Sequence, residues 1–334
     1  MPSLPNVKSN FPVLQANPAL VYLDSTATSL KPLPVIEAMH LYQAESGATV
    51  HRGVYALSVK ATEMYEGARD KVRRFIGAAS SREIVFVRNA TEAINLIANT
   101  FPFKAGDAVL LSEMEHHSNI VPWQKIRDEK GIELRWIPVT DAGQLDLAGL
   151  EDLLRGVKLV SITQMSNVLG TVNDVKTLAA KAHAVGAQIL VDGAQSVPHM
   201  PVDVRDLDCD FLVFSGHKML GPTGIGVLYA KESVLKNLPP FLRGGDMILE
   251  VTKDTATWNE LPWRFEAGTP NIVGAIGLGA AVEYLMELGM DNIWQHEQEL
   301  AEYGWQQLSS IPGLKMIGSA APNRGAIFAF SLAG

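Results

Sequence analysis

Short apolar runs alternate with helical patterns along most of this chain, and that alternation constrains the fold more than any other feature. EIVFV (83–87) reads as a strand and TEAINLIANTF after it as a helix. AVLLS (108–112) and ELRWIPV (133–139) read as strands, and LDLAGLEDLLR (145–155) as a helix. LVSIT (159–163) is a strand, followed by a helical VKTLAAKAHAVG that ends on Gly186. QILVD (188–192), DFLVFS (210–215) and GVLYA (226–230) complete the set. Strands separated by helices predict an α/β fold with a mainly parallel sheet and helices on both faces. The unbroken apolar runs fit strands buried on both sides.

From about residue 275 the pattern turns helical, through GAIGLGAAVEYLMEL and DNIWQHEQELAEYGWQQLSS, with Ile293, Leu300 and Trp305 on related faces. GAIFAFSLAG (325–334) reads as a last strand with no partner left in sequence. Open edges are usually paired or covered, so the expectation is a chain shortened at its C-terminus. The net charge of −8 carries no basic stripe, which argues against nucleic-acid or anionic-membrane partners. No apolar run approaches membrane-spanning length, and the N-terminus lacks a signal-peptide core. One cysteine, Cys209, excludes an internal disulfide and suits a reducing cytoplasm.

Ligands of open α/β sheets sit beyond the carboxyl ends of the strands, so polar residues there are the candidates. Asp192 ends QILVD, where a carboxylate can pair with a protonated ring nitrogen; alone, it is more simply a helix cap. Ser215, His217 and Lys218 follow DFLVFS. A lysine at a strand mouth can attack an aldehyde, although most lysines are merely solvated. The glycines of GPTGIG (221–226) let backbone approach closely. Asn89, Ala90 and Thr91 open a helix whose free N–H groups suit a phosphate, or else cap it. His116 and His117 follow AVLLS, and an imidazole there can stack on a flat ring or move protons. No cysteine or carboxylate cluster completes a metal set around them. Asn167 and Gln195 stand at neighbouring strand ends. Each signal alone is modest. An anion cradle, a histidine, an asparagine, an aspartate and a lysine at successive strand ends have no bland joint explanation.

This ordered set resembles the fold-type I enzymes that use pyridoxal 5′-phosphate (PLP), in the class V aminotransferase branch. It is most similar to the group II, SUF-type cysteine desulfurases, which also show selenocysteine lyase activity. The segments that carry the resemblance are YLDSTATSLKP (22–32), VHRGVYALS (50–58), NATEAINLIA (89–98), EMEHHSNIVPW (113–123), SNVLGT (166–171), LVDGAQSVPHMPVDV (190–204), LDCDFLVFSGHKMLGPTGIGVLY (207–229) and WRFEAGTPN (263–271). The resemblance implies that Lys218 forms the Schiff base, Asp192 pairs with the ring nitrogen, and His116 stacks and moves protons. It implies that Asn167 and Gln195 contact ring substituents, and that Ala90, Thr91, Ser215 and His217 hold the phosphate. Thr269 would reach the phosphate of a neighbouring subunit in a homodimer, and His51, Arg52 and Asn167 would border the substrate.

The implied layout is an N-terminal segment 1–20 packed with the small domain, a large PLP-binding domain 21–275, and a partial small domain 276–334. The implied substrates are L-cysteine or L-selenocysteine, with a persulfide acceptor protein as a further partner. The family's sulfur-accepting cysteine and the arginine after it lie in a C-terminal loop with no counterpart in these residues. Cys209 does not replace that cysteine, because its acidic neighbours raise a thiol pKa. With half a small domain, Trp294, Trp305 and Ile311 are expected to be partly uncovered, with local disorder after about residue 290. The rival expectations are another class V chemistry, transamination or lyase, and a PLP-free scaffold.

Overall fold

A computed structural model of the chain describes residues 5–320, 322 and 324–332. The first four residues, and Ala333 and Gly334 at the end of the expected last strand, lie outside the described residues. The strands of the main sheet are β1 (Ile84–Val87), β2 (Ala108–Ser112), β3 (Glu133–Ile137), β4 (Val157–Thr163), β5 (Gln188–Asp192), β6 (Phe211–Ser215) and β7 (Gly226–Ala230), in the order β1-β7-β6-β5-β4-β2-β3. β3, β2, β4, β5 and β6 pair in parallel along that order. β7 alone is reversed, antiparallel to both β6 and β1. Only residues 216–225 join β6 to β7, enough for a return but short of the dozen or so that a parallel crossover needs.

The longer helices are α1 (Leu33–Glu45), α2 (Ala56–Phe75), α3 (Ala90–Thr100), α4 (Val121–Lys130), α5 (Val175–Ala184), α6 (Ile272–Leu288) and α7 (Met290–Ser309). Alternate strand residues feed two separate cores. Phe86, Leu110, Ile162, Val191 and Phe214 pack with Tyr65 of α2, Leu178 of α5 and Leu278 of α6. Val85, Leu111, Leu159, Leu190 and Val213 pack with Ile94 of α3 and Trp123 of α4. With both faces covered, every residue of β1, β2, β5, β6 and β7 except Gln188 is buried, which is why those strands read as continuous apolar runs. No single helix among the described residues is long and apolar enough to cross a membrane.

Three expectations need correction, and one hairpin was not foreseen. The helix expected over 145–155 is a single turn, Leu150–Leu153. Leu145 instead bridges to Val139, and the Asp146 carboxylate accepts from Ala148 N at 3.0 Å, so the first residues form a turn. The last strand has a partner: β10 (Leu314–Ile317) pairs antiparallel with β11 (Ala329–Leu332). A hairpin of β8 (Ile248–Val251) and β9 (Ala256–Trp258), four and three residues long, was too short and too exposed to read. Leu300 is exposed, and Ala301 is the buried residue of α7.

The helix α6 runs straight through position 275. Asn10 donates to the Tyr284 hydroxyl at 2.9 Å, and Phe11 meets the Tyr284 ring edge-on, so the N-terminal segment reaches this helix. The region after Met290 is tied back by His199 Nδ1 to Glu297 at 3.0 Å, and within it Gln298 Nε2 donates to the Arg324 carbonyl at 2.7 Å. Trp305 is half-buried under the Arg324 guanidinium, 4.6 Å from its ring centre, and Ile311 is exposed.

One buried ion cluster joins the second helix to the sheet. The fully buried Arg69 guanidinium donates to Glu266 at 2.6 and 3.0 Å, to Glu66 at 2.8 Å and to the Ile84 carbonyl at 2.8 Å. It also lies 4.6 Å from the Phe86 ring centre. Glu266 accepts again from Tyr65 and from Phe86 N. Removing the cation strands the buried Glu266 carboxylate, so Arg69→Met should destabilise the chain by about 3–5 kcal/mol. Urea unfolding of the variant measures this, and a loss no larger than that of a surface substitution would refute it.

Candidate active site

Five strand ends converge on one cavity of about 460 Å³. β1 delivers Ala90 and Thr91, β2 His116, β4 Asn167, β5 Asp192 and Gln195, and β6 Ser215, His217 and Lys218; all nine line it. Gly226 opens β7 opposite Val87 and Ser215, at the ends of β1 and β6. A Cβ there would come within 2.7 Å of Asn89 Cα and 2.8 Å of the Phe214 carbonyl, so only glycine lets these backbones cross so closely.

The cradle at α3 divides its labour. Asn89 is the cap, its side-chain oxygen accepting from Glu92 N at 2.9 Å. Ser215 Oγ accepts from Ala90 N at 2.9 Å. Thr91 is exposed in the cavity wall at the positive end of the helix, where an anion is favoured.

Burial sets the charges of the other groups. It lowers the pKa of Lys218, with the Asp192 carboxylate opposing the shift. It lowers that of His116, helped by the Lys218 charge, so the imidazole is neutral at neutral pH. His116 Nδ1 faces Ser118, accepting from its N–H at 3.2 Å. Asp192 is 3% exposed, and burial raises its pKa against the pull of Ala194 N, Lys218 and His116. Its carboxylate has one hydrogen bond among the described residues, from Ala194 N at 3.0 Å.

These features fit PLP. Asp192 has spare acceptor capacity for a ring N–H, and a cationic ring would restore its charge. Gln195 is anchored through Nε2 to the Thr26 carbonyl at 2.9 Å, while its Oε1 is buried without a partner, as an atom reserved for a ligand would be. The α3 terminus with Thr91, Ser215 and His217 suits the phosphate.

Three expected residues stand apart. His51 and Arg52 line a separate cavity of about 420 Å³ with Asp246, Trp263 and Glu266. His51 Nε2 is 2.8 Å from Glu66, and Arg52 Nε is 2.5 Å from Asp246. Thr269 lines a third, near Arg88 and Gly224. Asp24, Thr26 and Ala27 do line the main cavity and were not singled out, because their segment is neither strand nor helix. Cys209 is fully buried away from the cavity, its thiol pushed up to about 12 by burial and then by Asp210.

Beneath His116, Glu115 accepts from Ser112 Oγ at 2.5 Å, Thr163 N at 3.0 Å and Asn119 Nδ2 at 2.6 Å. Burial outweighs these donors and pushes its pKa up to about 8. The folded chain therefore holds this proton more tightly than the unfolded chain, whose carboxyl titrates near 4.5. The resulting stability is full below that pH and is lost as pH rises through about 8. Urea unfolding across this window should show stability falling with pH, and Glu115→Gln, with no proton to lose, should flatten the fall. An equal slope in the variant would sink the assignment.

Comparison with known proteins gives the family. The profile of the family described as Aminotransferase class-V matches residues 21–334. A cysteine desulfurase of Dickeya dadantii (strain 3937) is 49% identical over 334 residues, covering 98% of this chain and 81% of the relative. The apo structure of a cysteine desulfurase from Thermococcus onnurineus NA1 superposes with a TM-score of 0.94 at 40% identity, over 100% of this chain and 83% of that one. The cysteine desulfurase CsdA of Escherichia coli, in its S-sulfonic acid form, gives 0.90 at 38% identity, over 98% and 82%. The chain belongs to the class-V aminotransferase family.

Proposed function

We propose that this chain is a PLP-dependent cysteine desulfurase. It cleaves the C–S bond of L-cysteine, leaving L-alanine, and passes the sulfur to a thiol as a persulfide; L-selenocysteine is a second substrate. The carrying observation is the single cavity in which Lys218, Asp192 and His116 meet, on a chain about half identical to cysteine desulfurases. Bound PLP supplies an electron sink for the substrate carbons.

The chain's own groups do the rest. Lys218, its ammonium destabilised by burial, would hold the cofactor covalently, and as a free amine it can move a proton. Asp192 would pair with the ring nitrogen and favour its protonated form. His116 is neutral, and with Nδ1 accepting from Ser118 N its proton sits on Nε2, where it can be donated. Thr91, Ser215, His217 and the Ala90 end of the helix hold the phosphate, and Gln195 and Asn167 orient the ring. The accepting thiol is other than Cys209, which is buried and protonated. A protein bearing the acceptor thiol is the expected partner, in a reducing cytoplasm.

The active form is a homodimer in which Thr269, His51 and Arg52 complete the neighbouring copy's site. Support comes from their lying outside the main cavity of a single copy, and from Val54, 99% exposed two residues after Arg52.

Product analysis tests the chemistry. L-cysteine with a reductant should yield alanine and sulfide in equal amounts, whereas keto-acid formation would favour transamination. Lys218→Ala should abolish the visible absorption of the PLP-loaded chain and cut turnover by at least about 100-fold. A wild-type chain that shows no such absorption after PLP addition would overturn the proposal.

A further inference from the structure

The loop that carries Lys218 is gripped from outside the sheet. Four donors from residues 28–31 converge on one acceptor, the His217 carbonyl oxygen. They are Ser29 N at 2.9 Å, Ser29 Oγ at 3.0 Å, Thr28 Oγ1 at 3.1 Å and Lys31 Nζ at 3.2 Å. A carbonyl has two lone pairs, so this oxygen is oversubscribed. Ser29 Oγ also accepts from Leu220 N at 2.7 Å, so a single hydroxyl ties the backbone before Lys218 to the backbone after it.

The gripped backbone is strained. Leu220 has φ +66°, a left-handed conformation that a leucine keeps only when its surroundings impose it. The loop is also closed on itself, with Gly216 N donating to the Ile225 carbonyl at 2.9 Å and Gly221 N to the Gly216 carbonyl at 2.9 Å. Outliers of this kind cluster where a reacting group must keep one pose.

The grip continues into the cavity wall. Thr26 and Ala27 line the cavity, and the Thr26 carbonyl anchors Gln195. Lys31 is half-buried and has no carboxylate within ion-pair distance among the described residues. Its charge is spent on two carbonyls, those of Ser29 and His217. A lysine used this way, rather than solvated, costs desolvation that a surface role does not explain.

We propose that Ser29 and Lys31 are positioning residues for Lys218, fixing the backbone on both sides of it so that its amine meets the cofactor in one pose. This rests on the reading of Lys218 as the cofactor's lysine.

The test compares PLP-loaded wild type, Ser29→Ala, Lys31→Met and Lys31→Arg. Three quantities are read: the rate of cofactor release, the visible ellipticity per bound cofactor, and the melting temperature of the PLP-free chain. Ser29→Ala and Lys31→Met should bind PLP yet release it about tenfold faster, as expected for loss of a hydrogen bond to a strained or charged group. Their ellipticity per bound cofactor should fall, because the ring is held in more than one pose. Lys31→Arg keeps a charged donor and should restore most of both. Release and ellipticity equal to wild type in both truncated variants overturn the proposal. So does a lowered PLP-free melting temperature with unchanged ellipticity, since the segment then only stabilises the fold. If the wild-type chain itself shows no visible band with PLP, the reading of Lys218 has failed, and that is distinguished before any variant is compared.

Discussion

A parallel sheet buried on both faces has nowhere to put polar chemistry except at its strand ends, and the rest of this structure follows from that. The strand interiors are committed to two cores, one against α2, α5 and α6, the other against α3 and α4. A charged side chain within either core would need a partner as costly as the Arg69–Glu266 pair. At the carboxyl ends the chain leaves the sheet, and loops of a few residues can hold side chains against a dry floor while opening them to a ligand. Asp192, Ser215 and Thr163 are the last residues of their strands, and each is both buried and polar.

The same dryness sets the chemistry. Burial disfavours charge on Lys218, His116, Asp192 and Glu115 alike, so these groups depend on one another for what charge they keep. Asp192 pulls Lys218 back toward its ammonium form, while the Lys218 charge pushes His116 toward neutrality. A lysine that must be an amine and a histidine that must be neutral to move protons are thus prepared by the one environment. Distant cations are not needed, and none of the exposed ion pairs on the helices contributes to it.

The parts of this arrangement that sequence reveals are those where local pattern and tertiary environment agree. A strand buried on both sides is apolar throughout, and the first polar residue after it marks its end; Asp192 after ILV and Ser215 after FLVF were legible for that reason. The reversed strand β7 was not, because an antiparallel strand in a covered sheet has the same apolar signature as its parallel neighbours. The turn at Leu145–Ala148 was misread because Leu147, Leu150, Leu153 and Leu154 keep a helical spacing that the Asp146 side-chain bond cuts short at its start. The pairing of Leu314–Ile317 with the last strand was hidden in a stretch with no flanking clue beyond Pro312 and Gly313. His51, Arg52 and Thr269 could not be placed, since a residue that serves through tertiary or quaternary contact leaves no period in its own segment.

Residues 22–31 mark the limit most clearly. They carry no helical or strand pattern, and apart from Tyr22, Leu23 and Leu30 their side chains are small or polar, which composition alone would assign to a loop. Their order comes from elsewhere: the Tyr22 hydroxyl donates to the Thr28 carbonyl at 2.6 Å, Gln195 binds Thr26, and four donors from residues 28–31 close on the His217 carbonyl. A segment without regular structure satisfies its backbone only by borrowing partners. Here the partners borrowed are the residues flanking Lys218 and the glutamine beside Asp192. The irregular segment is therefore held by the two loops that hold the lysine and the aspartate, and a change in any one of the three is felt at the other two.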